Sequence, residues 1–174
     1  MRYAAIRSFD ITNGEGTGVS LFVQGCPFHC KNCFNPETWG YDLGKEWTRD
    51  TEEKFIKLAG RNYIKRISFL GGSPLCDHNI KDVALLIQHL KHDYPDKQIW
   101  VYTGYTWESI MSSDNTEYSR YRREVLDFID VLVDGPFIYD ERDLTLAFRG
   151  SKNQRIIDVK KSLAENKVVL YDQR

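Results

Sequence analysis

Apolar residues follow two different periods along the chain, and these periods predict alternating strands and helices. Ile80, Val83, Ile87 and Leu90 recur at helical spacing, so a helix with one apolar face is predicted there. Short apolar runs between turn-forming or charged segments predict strands instead. The predicted strands are residues 2–12, 19–24, 64–70, 98–103, 131–133, 155–158 and 167–171, and the predicted helices are residues 50–59, 77–93, 107–111 and 119–129.

The order of these elements predicts the fold class. Apolar strands that alternate with helices indicate an α/β fold with a mostly parallel sheet and helices outside it. Right-handed crossovers curl such a sheet towards a barrel. At 174 residues the chain is short for a full eight-unit barrel, which takes about 250 residues. We therefore expect a single domain, residues 1–174, built as an incomplete (β/α) barrel.

Composition narrows the function classes. Hydrophobic residues make up 41% of the chain, charged residues make up 28%, and the formal net charge is -1. Basic and acidic residues are interspersed, which argues against a nucleic-acid partner. No apolar run near the N-terminus is long enough for a signal peptide or a membrane span, so we expect a cytoplasmic protein without a membrane partner. The polar segment 112–123 is predicted to be a long loop.

Three of the four cysteines stand in one short segment. Cys26, Cys30 and Cys33 have the spacing C-x3-C-x2-C. Because cytosolic thiols stay reduced, this grouping indicates a metal or redox site rather than disulfides. Electron-transfer clusters usually take four cysteine ligands, whereas three would leave one iron of a 4Fe-4S cluster open. The spacing therefore predicts a cluster whose open iron binds a substrate or a cofactor.

A structural zinc site is the alternative for the same cysteines. Zinc would need a fourth ligand, and the candidates are His29, Cys76 and His78. Zinc sites usually draw ligand pairs from two separated segments, and the sequence shows no second pair. The spacing favours the cluster, and Cys76 is interpreted as a small buried apolar residue.

Four features of the sequence directly follow predicted strands. One is the cysteine segment, and the others are Gly71-Gly72-Ser73, Thr103-Gly104 and Asp134-Gly135. In a parallel barrel the chemistry gathers at the carboxyl ends of the strands, so we expect these features to share one rim. The glycine pair is either a tight turn or a place where a ligand lies against the backbone. Thr103 and Asp134 either end their strands or bind a cation or the polar end of a cofactor.

Two further segments allow two interpretations each. Residues 13–18 contain three glycines and predict a turn between the first two strands. A phosphate cradle is disfavoured there, because no P-loop lysine with serine or threonine follows. Residues 149–155 are polar and lie between apolar segments, so they form either a solvated loop or a segment that docks a partner or orients a substrate.

The cysteine spacing and the glycine pair resemble the motifs of a known family. Cys26-x3-Cys30-x2-Cys33 resembles the signature of radical S-adenosylmethionine enzymes. Gly71-Gly72-Ser73-Pro74 is similar to their glycine-glycine-acid motif, with Ser73 in the place of the acid. Within that superfamily the chain resembles the small activating proteins of anaerobic ribonucleoside-triphosphate reductase. The phrases that carry this closer resemblance are residues 23–26, 33–39, 130–137 and 149–155.

The resemblance implies a barrel of the radical S-adenosylmethionine type and a 4Fe-4S cluster with one open iron. Cys26, Cys30 and Cys33 would hold this cluster. The backbone around Asn32, Cys33 and Phe34 would approach the adenine of S-adenosylmethionine, the second implied cofactor. Asn32 stands where many members of the superfamily have an aromatic residue.

The same resemblance implies that Gly71, Gly72 and Ser73 face the methionine amino group of the cofactor. Thr103 and Asp134 are assigned to cofactor binding by their position alone. No catalytic side chain is expected beyond the cluster and the cofactor, and no Ser-His-Asp set can be assigned.

For function, the resemblance implies an enzyme that makes a glycyl radical on anaerobic ribonucleoside-triphosphate reductase. Reductive cleavage of S-adenosylmethionine would release methionine and a 5′-deoxyadenosyl radical, which would take hydrogen from a glycine. The implied partners are the glycyl radical subunit of the reductase and a flavodoxin- or ferredoxin-type electron donor. The alternatives are a radical enzyme that acts on a nucleotide-like or coenzyme-precursor metabolite, and a non-catalytic zinc-binding adaptor.

Overall fold

The computed structural model describes residues 1–112 and 116–172. Its strands are β1 (Arg2–Asp10), β2 (Gly18–Val23), β3 (Lys45–Glu46), β4 (Arg66–Gly71), β5 (Gln98–Tyr102), β6 (Val131–Asp134) and β7 (Arg155–Asp158). Its α-helices are α1 (Arg49–Ala59), α2 (Ile80–Asp93), α3 (Trp107–Met111), α4 (Glu117–Val125) and α5 (Val159–Glu165). Strands and helices alternate through the middle of the chain, as the apolar pattern predicts.

The strands form one sheet with the order β3-β1-β2-β4-β5-β6-β7. The central strands β2, β4, β5 and β6 pair in parallel. β1 pairs antiparallel with both β2 and β3, so β3 runs in the direction of the central strands, and only β1 and β7 oppose them. The predicted α/β class with a mostly parallel sheet is therefore confirmed. Within the described residues β3 and β7 do not pair with each other, and the sheet is not closed.

Alternating side chains give the sheet two different faces. On β5, Ile99 and Val101 point to the face that the helices cover, where they belong to the main apolar core. Trp100 and Tyr102 point to the opposite face and belong to a smaller cluster. Helices α1, α2 and α4 all contribute buried side chains to the main core, so the predicted position of helices outside the sheet is confirmed. The opposite face, with Trp100 and Tyr102, is the inner face of the sheet, and a site can lie on it.

The predicted helices are present with shifted ends. α1 begins one residue before Asp50, because the hydroxyl of Thr48 accepts a hydrogen bond from the Thr51 N–H and caps the helix. α2 begins only after residues 77–79, which form a turn. Every helix in the described part of the chain is too short or too polar to cross a lipid bilayer.

The loop predicted at 112–123 is wrong for its second half, where α4 begins. The hydroxyl of Thr116 caps this helix by accepting a hydrogen bond from the Ser119 backbone N–H at 3.2 Å. Most of the helix surface is polar, which explains why its composition resembles that of a loop. Residues 113–115 of the predicted loop lie outside the described residues.

The C-terminal part of the sheet also differs from the prediction. Residues 167–171 do not form a strand and contribute one isolated bridge, between Leu170 and Ile157. Helix α5, which the pattern did not predict, follows β7 directly. The Asp158 carboxylate caps it by accepting a hydrogen bond from the Lys161 backbone N–H at 3.0 Å. A helix of seven residues is too short to show a clear helical period in sequence.

The turn predicted at residues 13–18 is present between β1 and β2, and a buried arginine stabilises it. The side chain of Arg66 is fully buried. It donates hydrogen bonds to the main-chain oxygens of Asp10 at 2.8 Å, Glu15 at 3.1 Å and Asn13, and to the hydroxyl of Ser68. A buried guanidinium without such acceptors would be strongly destabilising. The shape of this turn therefore depends on a side chain of β4.

The carboxylate of Asp10 completes this network. Burial by itself raises the pKa of Asp10, but hydrogen bonds from Ser20, Asn13 and Thr12 outweigh it and lower the pKa to about 2. The Ser20 hydroxyl and the Asn13 side-chain amide each donate at 2.5 Å, and the Thr12 N–H donates at 2.7 Å. The folded protein therefore favours the charged carboxylate.

Replacement of Asp10 by Asn tests this interaction through its pH dependence. The pKa of Asp10 falls from 3.8 to about 2 on folding, so its stabilisation is complete above the unfolded value and is lost as the pH drops through the folded value. Between about pH 5 and about pH 2, we expect the wild type to lose about 2 kcal/mol more unfolding free energy than Asp10→Asn. Urea unfolding across this range measures the difference. Equal losses in the two proteins would contradict the assignment.

Candidate functional site

The loops that follow the four parallel strands meet around one cavity of about 590 Å³. Because these strands are parallel, their carboxyl ends lie at the same edge of the sheet. The predicted site residues that line the cavity are Cys26, Cys30, Cys33, Phe34, Gly71, Gly72, Ser73 and Thr103. Asn32 and Asp134 are not among the residues that line it. The structure thus brings most of the predicted site together from three separate parts of the chain.

Two residues with a left-handed backbone shape the cysteine loop. His29 has a φ of 45° and Asn32 has a φ of 55°, and each directly precedes a cysteine. Such values are uncommon outside glycine, although asparagine tolerates them comparatively well. The loop turns so tightly that the Cys33 N–H donates to the Cys30 carbonyl at 3.1 Å. The side chain of Asn32 is exposed. The residue contributes to the loop through its backbone conformation.

The three thiols of the loop are free and partly buried. Burial raises the pKa of Cys26 and of Cys30; backbone N–H groups act in the opposite direction, and neighbouring thiols raise the pKa further. Thiolates at this place therefore need a positively charged partner, and metal ions supply one. In the part of the chain that is described, no three His, Cys, Asp or Glu side chains are grouped to hold a single metal ion. Three thiols from one loop around a cavity fit the ligands of an iron–sulfur cluster.

The glycine turn packs directly against the start of the cysteine loop. Gly71 has a φ of 96°, and a Cβ atom on Gly72 would lie 2.4 Å from the carbonyl oxygen of Gly25. The Gly72 N–H donates to Val23 at 2.8 Å, and the Ser73 N–H donates to Gly25 at 2.9 Å. The glycine pair is therefore required for main-chain contact between two loops.

Two hydroxyl groups lie side by side at the cavity wall. The Oγ of Ser73 and the Oγ1 of Thr103 are 3.3 Å apart, and both residues are almost fully buried. The charged side chains among the described lining residues are Arg7 and Arg149, and no carboxylate lines the cavity. Ser73 thus leaves this wall without the negative charge that an acid would bring.

Two buried polar atoms beside the cavity have no hydrogen-bond partner among the described residues. They are the hydroxyl of Tyr102 and the Nε of Arg149, and both side chains contribute to the lining. Buried polar groups in native proteins nearly always have a partner, so each exception needs an explanation. Their place beside one cavity is consistent with a polar ligand there.

Asp134 lies outside the cavity lining and stabilises the rim of the cavity through hydrogen bonds. Its carboxylate accepts hydrogen bonds from the Trp107 backbone N–H at 2.7 Å and from the guanidinium of Arg155 at 2.5 and 3.0 Å. Arg155 also contacts the carboxylate of Glu108 at 2.7 and 2.9 Å. Asp134 is 1% exposed, so in this structure it ties β6 to β7 and α3.

The segment 149–155 forms part of the cavity wall. The Oε1 of Gln154 accepts hydrogen bonds from the Gly150 N–H at 2.9 Å and from the Ser151 N–H at 3.2 Å. Asn153 donates to the carbonyl of Pro136 at 2.8 Å. Of the two sequence interpretations, the structure disfavours a solvated loop, because this segment is bonded to the rim and contributes lining residues.

Sequence reasoning missed Gln24, which closes the cysteine loop. Its buried side-chain amide donates to the main-chain oxygens of Glu37 at 2.9 Å and Gly40 at 2.8 Å. A polar residue at the end of the apolar run of β2 was the available signal. Cys76, by contrast, is buried and outside the cavity lining, and burial raises its pKa to about 11. Its interpretation as a small buried residue is confirmed.

Residues 12–157 match the family model described as "4Fe-4S single cluster domain". Together with the three thiols, this match defines the class as an iron–sulfur protein with a single 4Fe-4S cluster domain.

Curated relatives define the family within that class. Each of the following is named an anaerobic ribonucleoside-triphosphate reductase-activating protein. The relative from Vibrio cholerae is 40% identical over 158 residues, which is 90% of this chain and 97% of the relative. The Escherichia coli K12 relative is 38% identical over 156 residues, with 88% and 96% covered. The bacteriophage T4 relative is 34% identical over 158 residues, with 90% and 93% covered. The chain belongs to the family of anaerobic ribonucleoside-triphosphate reductase-activating proteins.

Replacement of Gly72 by Ala tests the contact between the two loops. The new Cβ would meet backbone atoms of Gly25, which cannot move aside as a side chain can. We expect a loss of about 1–3 kcal/mol of unfolding free energy. Gly40→Ala is the control, because the atoms nearest to its new Cβ would belong to the side chain of Leu43. Thermal unfolding of both variants gives the comparison, and equal stability would argue against a tight contact.

Two substitutions of Asn32 separate backbone conformation from side-chain contact. With a φ of 55°, the position suits glycine and disfavours a β-branched residue. We expect Asn32→Gly to stay within about 1 kcal/mol of the wild type, and Asn32→Val to lose about 1–2 kcal/mol. Urea unfolding measures both. A large loss in the glycine variant would show that the Asn32 side chain makes a contact of its own.

Proposed function

We propose that this protein is a radical S-adenosylmethionine enzyme that makes a glycyl radical on anaerobic ribonucleoside-triphosphate reductase. The observation that carries the proposal is the placement of three thiols from one loop around a cavity beside a glycine turn. The names of the relatives, which cover about 90% of this chain, support the reductase as the partner. An open, mostly parallel sheet supports an incomplete barrel of the radical S-adenosylmethionine type.

The proposed cofactors are a 4Fe-4S cluster and S-adenosylmethionine. When bound, they supply one electron and a sulfonium whose reductive cleavage gives methionine and the 5′-deoxyadenosyl radical that takes a hydrogen atom from the glycine. Cys26, Cys30 and Cys33 hold the cluster and leave one iron without a protein ligand.

The remaining cavity residues bind and orient the S-adenosylmethionine. The main chain of residues 71–73 and the hydroxyl of Thr103 offer acceptors for the methionine amino group, since no carboxylate lines the cavity among the described residues. The main chain of residues 32–34 would approach the adenine. Asn32 and Asp134, whose side chains lie outside the lining, contribute through the loop conformation and the rim that they hold.

The open side of the cavity admits the partner. Phe34 is 53% exposed and Leu144 is 72% exposed, and both line the cavity, so apolar surface continues from the interior to the outside. A peptide segment that carries a glycine can approach along this surface, whereas a closed barrel would exclude it. The electron comes from a flavodoxin- or ferredoxin-type protein.

Replacement of Cys30 by Ala tests the proposed chemistry. The variant loses one of the three proposed cluster ligands, so we expect it to form no 5′-deoxyadenosine from S-adenosylmethionine after anaerobic reconstitution and reduction. The wild type should also produce a glycyl radical doublet on the reductase in electron paramagnetic resonance. Cys76→Ala is the matched control and should retain both activities, because Cys76 lies outside the cavity lining.

The outcomes separate the alternatives. Zinc without sulfide in the wild-type protein would identify an adaptor and refute the cluster. Formation of 5′-deoxyadenosine only with a small metabolite, and no radical on the reductase, would refute the activating role. Full cleavage activity in folded Cys30→Ala would contradict the assigned ligands.

A further inference from the structure

A buried asparagine joins the two loops that carry the proposed cofactor site. Asn79 is fully buried at the start of α2. Its side-chain nitrogen lies 2.9 Å from the carbonyl oxygen of Gln24, 3.1 Å from that of Ser73 and 3.5 Å from that of Gly25. Gln24 and Gly25 directly precede Cys26, whereas Ser73 ends the glycine turn. One amide group therefore contacts both sides of the site.

The three neighbours determine the orientation of this amide. Carbonyl oxygens can only accept hydrogen bonds, so the NH₂ group of Asn79 must face them. The oxygen on the other side, Oδ1, is buried and has no partner among the described residues. A carboxylate at the same position would place negative charge against three acceptors.

Asn79 lies at the N-cap of α2, but its side chain does not cap the helix. It is the N-cap residue of α2, where the side-chain oxygen usually accepts a hydrogen bond from a backbone N–H of the first turn. The Asn79 side chain makes no such bond. A favourable cap and a satisfied oxygen are both absent, while the amide nitrogen is directed to the loops. Departures from local rules of this kind concentrate at functional sites.

We propose that Asn79 is a positioning residue that sets the distance between the cysteine loop and the glycine turn. The proposal rests on the proposed function, in which the loop holds the cluster and the turn receives the methionine end of S-adenosylmethionine. Both groups must reach the cofactor at once, so a small shift between them weakens its binding. Asn79 does not touch the cavity and acts only through the loops that it joins.

The substitution Asn79→Asp tests this role with little change in shape. Repulsion between the carboxylate and the three carbonyls should separate the two loops, while the three cysteines remain present. We expect a KM for S-adenosylmethionine raised about tenfold, with iron and sulfide content per folded protein retained. The matched control is Gln88→Glu, the same chemical change at a partly exposed position of the same helix. It should leave the KM unchanged.

A spectroscopic measurement separates positioning from stability. The electron paramagnetic resonance spectrum of the reduced holoprotein is recorded with increasing S-adenosylmethionine, and the change is normalised to cluster content. A merely structural role would lower cluster content and leave the response of the remaining clusters unchanged. A positioning role shifts the response to higher concentration in the clusters that are present. If Asn79→Asp does not fold, Asn79→Ala replaces it, since that variant removes the donor without adding charge.

The outcomes are distinct. Wild-type KM and wild-type titration in folded Asn79→Asp or Asn79→Ala would overturn the positioning role and leave the proposed function intact. A wild-type spectrum that does not respond to S-adenosylmethionine would refute the proposed function, and the role of Asn79 with it. A raised KM with full cluster content supports the proposal.

Discussion

Main-chain contact between the end of β2 and the turn after β4 is the constraint on which the site depends. Gly72 lies so close to Gly25 that any side chain would meet the carbonyl oxygen of Gly25 at 2.4 Å. Hydrogen bonds from residues 72 and 73 to Val23 and Gly25 secure this contact, and Asn79 adds a side-chain amide to it. The segment directly before the three cysteines is therefore held rigidly, although the cysteine loop itself is partly exposed. Rigid support of this kind is what positioned ligands require.

The two faces of the sheet have different roles: one carries the main apolar core, and the other carries the candidate site. Helices cover the outer face and bury a continuous apolar core. The inner face combines apolar residues such as Trp100 with a polar network around Arg66 and Asp10. In that network the buried guanidinium of Arg66 donates hydrogen bonds to the turn between β1 and β2. These polar groups therefore stabilise the fold. The polar atoms of Tyr102 and Arg149 that have no partner among the described residues lie instead beside the cavity, where a ligand can satisfy them.

Local patterns predicted most strands, the helices that carry a clear apolar face, and the shared rim. They failed where the stabilising partner is distant or the element is short. Helix α5, which was not predicted, has only seven residues. Asp134 shows what local sequence leaves out at the site, since its position after a strand does not reveal its partners. Its carboxylate accepts hydrogen bonds from the Arg155 guanidinium and from the Trp107 N–H.

By itself the sequence determined the α/β class, the spacing of the three cysteines and the family, because these depend on residue type and short spacing along the chain. Only the tertiary structure decided which residues share the cavity and which support it from behind. Gln24, Asn79 and Gln154 act through hydrogen bonds to main-chain oxygens and N–H groups, some of them far away in sequence. Any residue can supply a main-chain carbonyl, so such bonds leave no mark in the sequence of their acceptors. Their partners become visible only when the chain is folded.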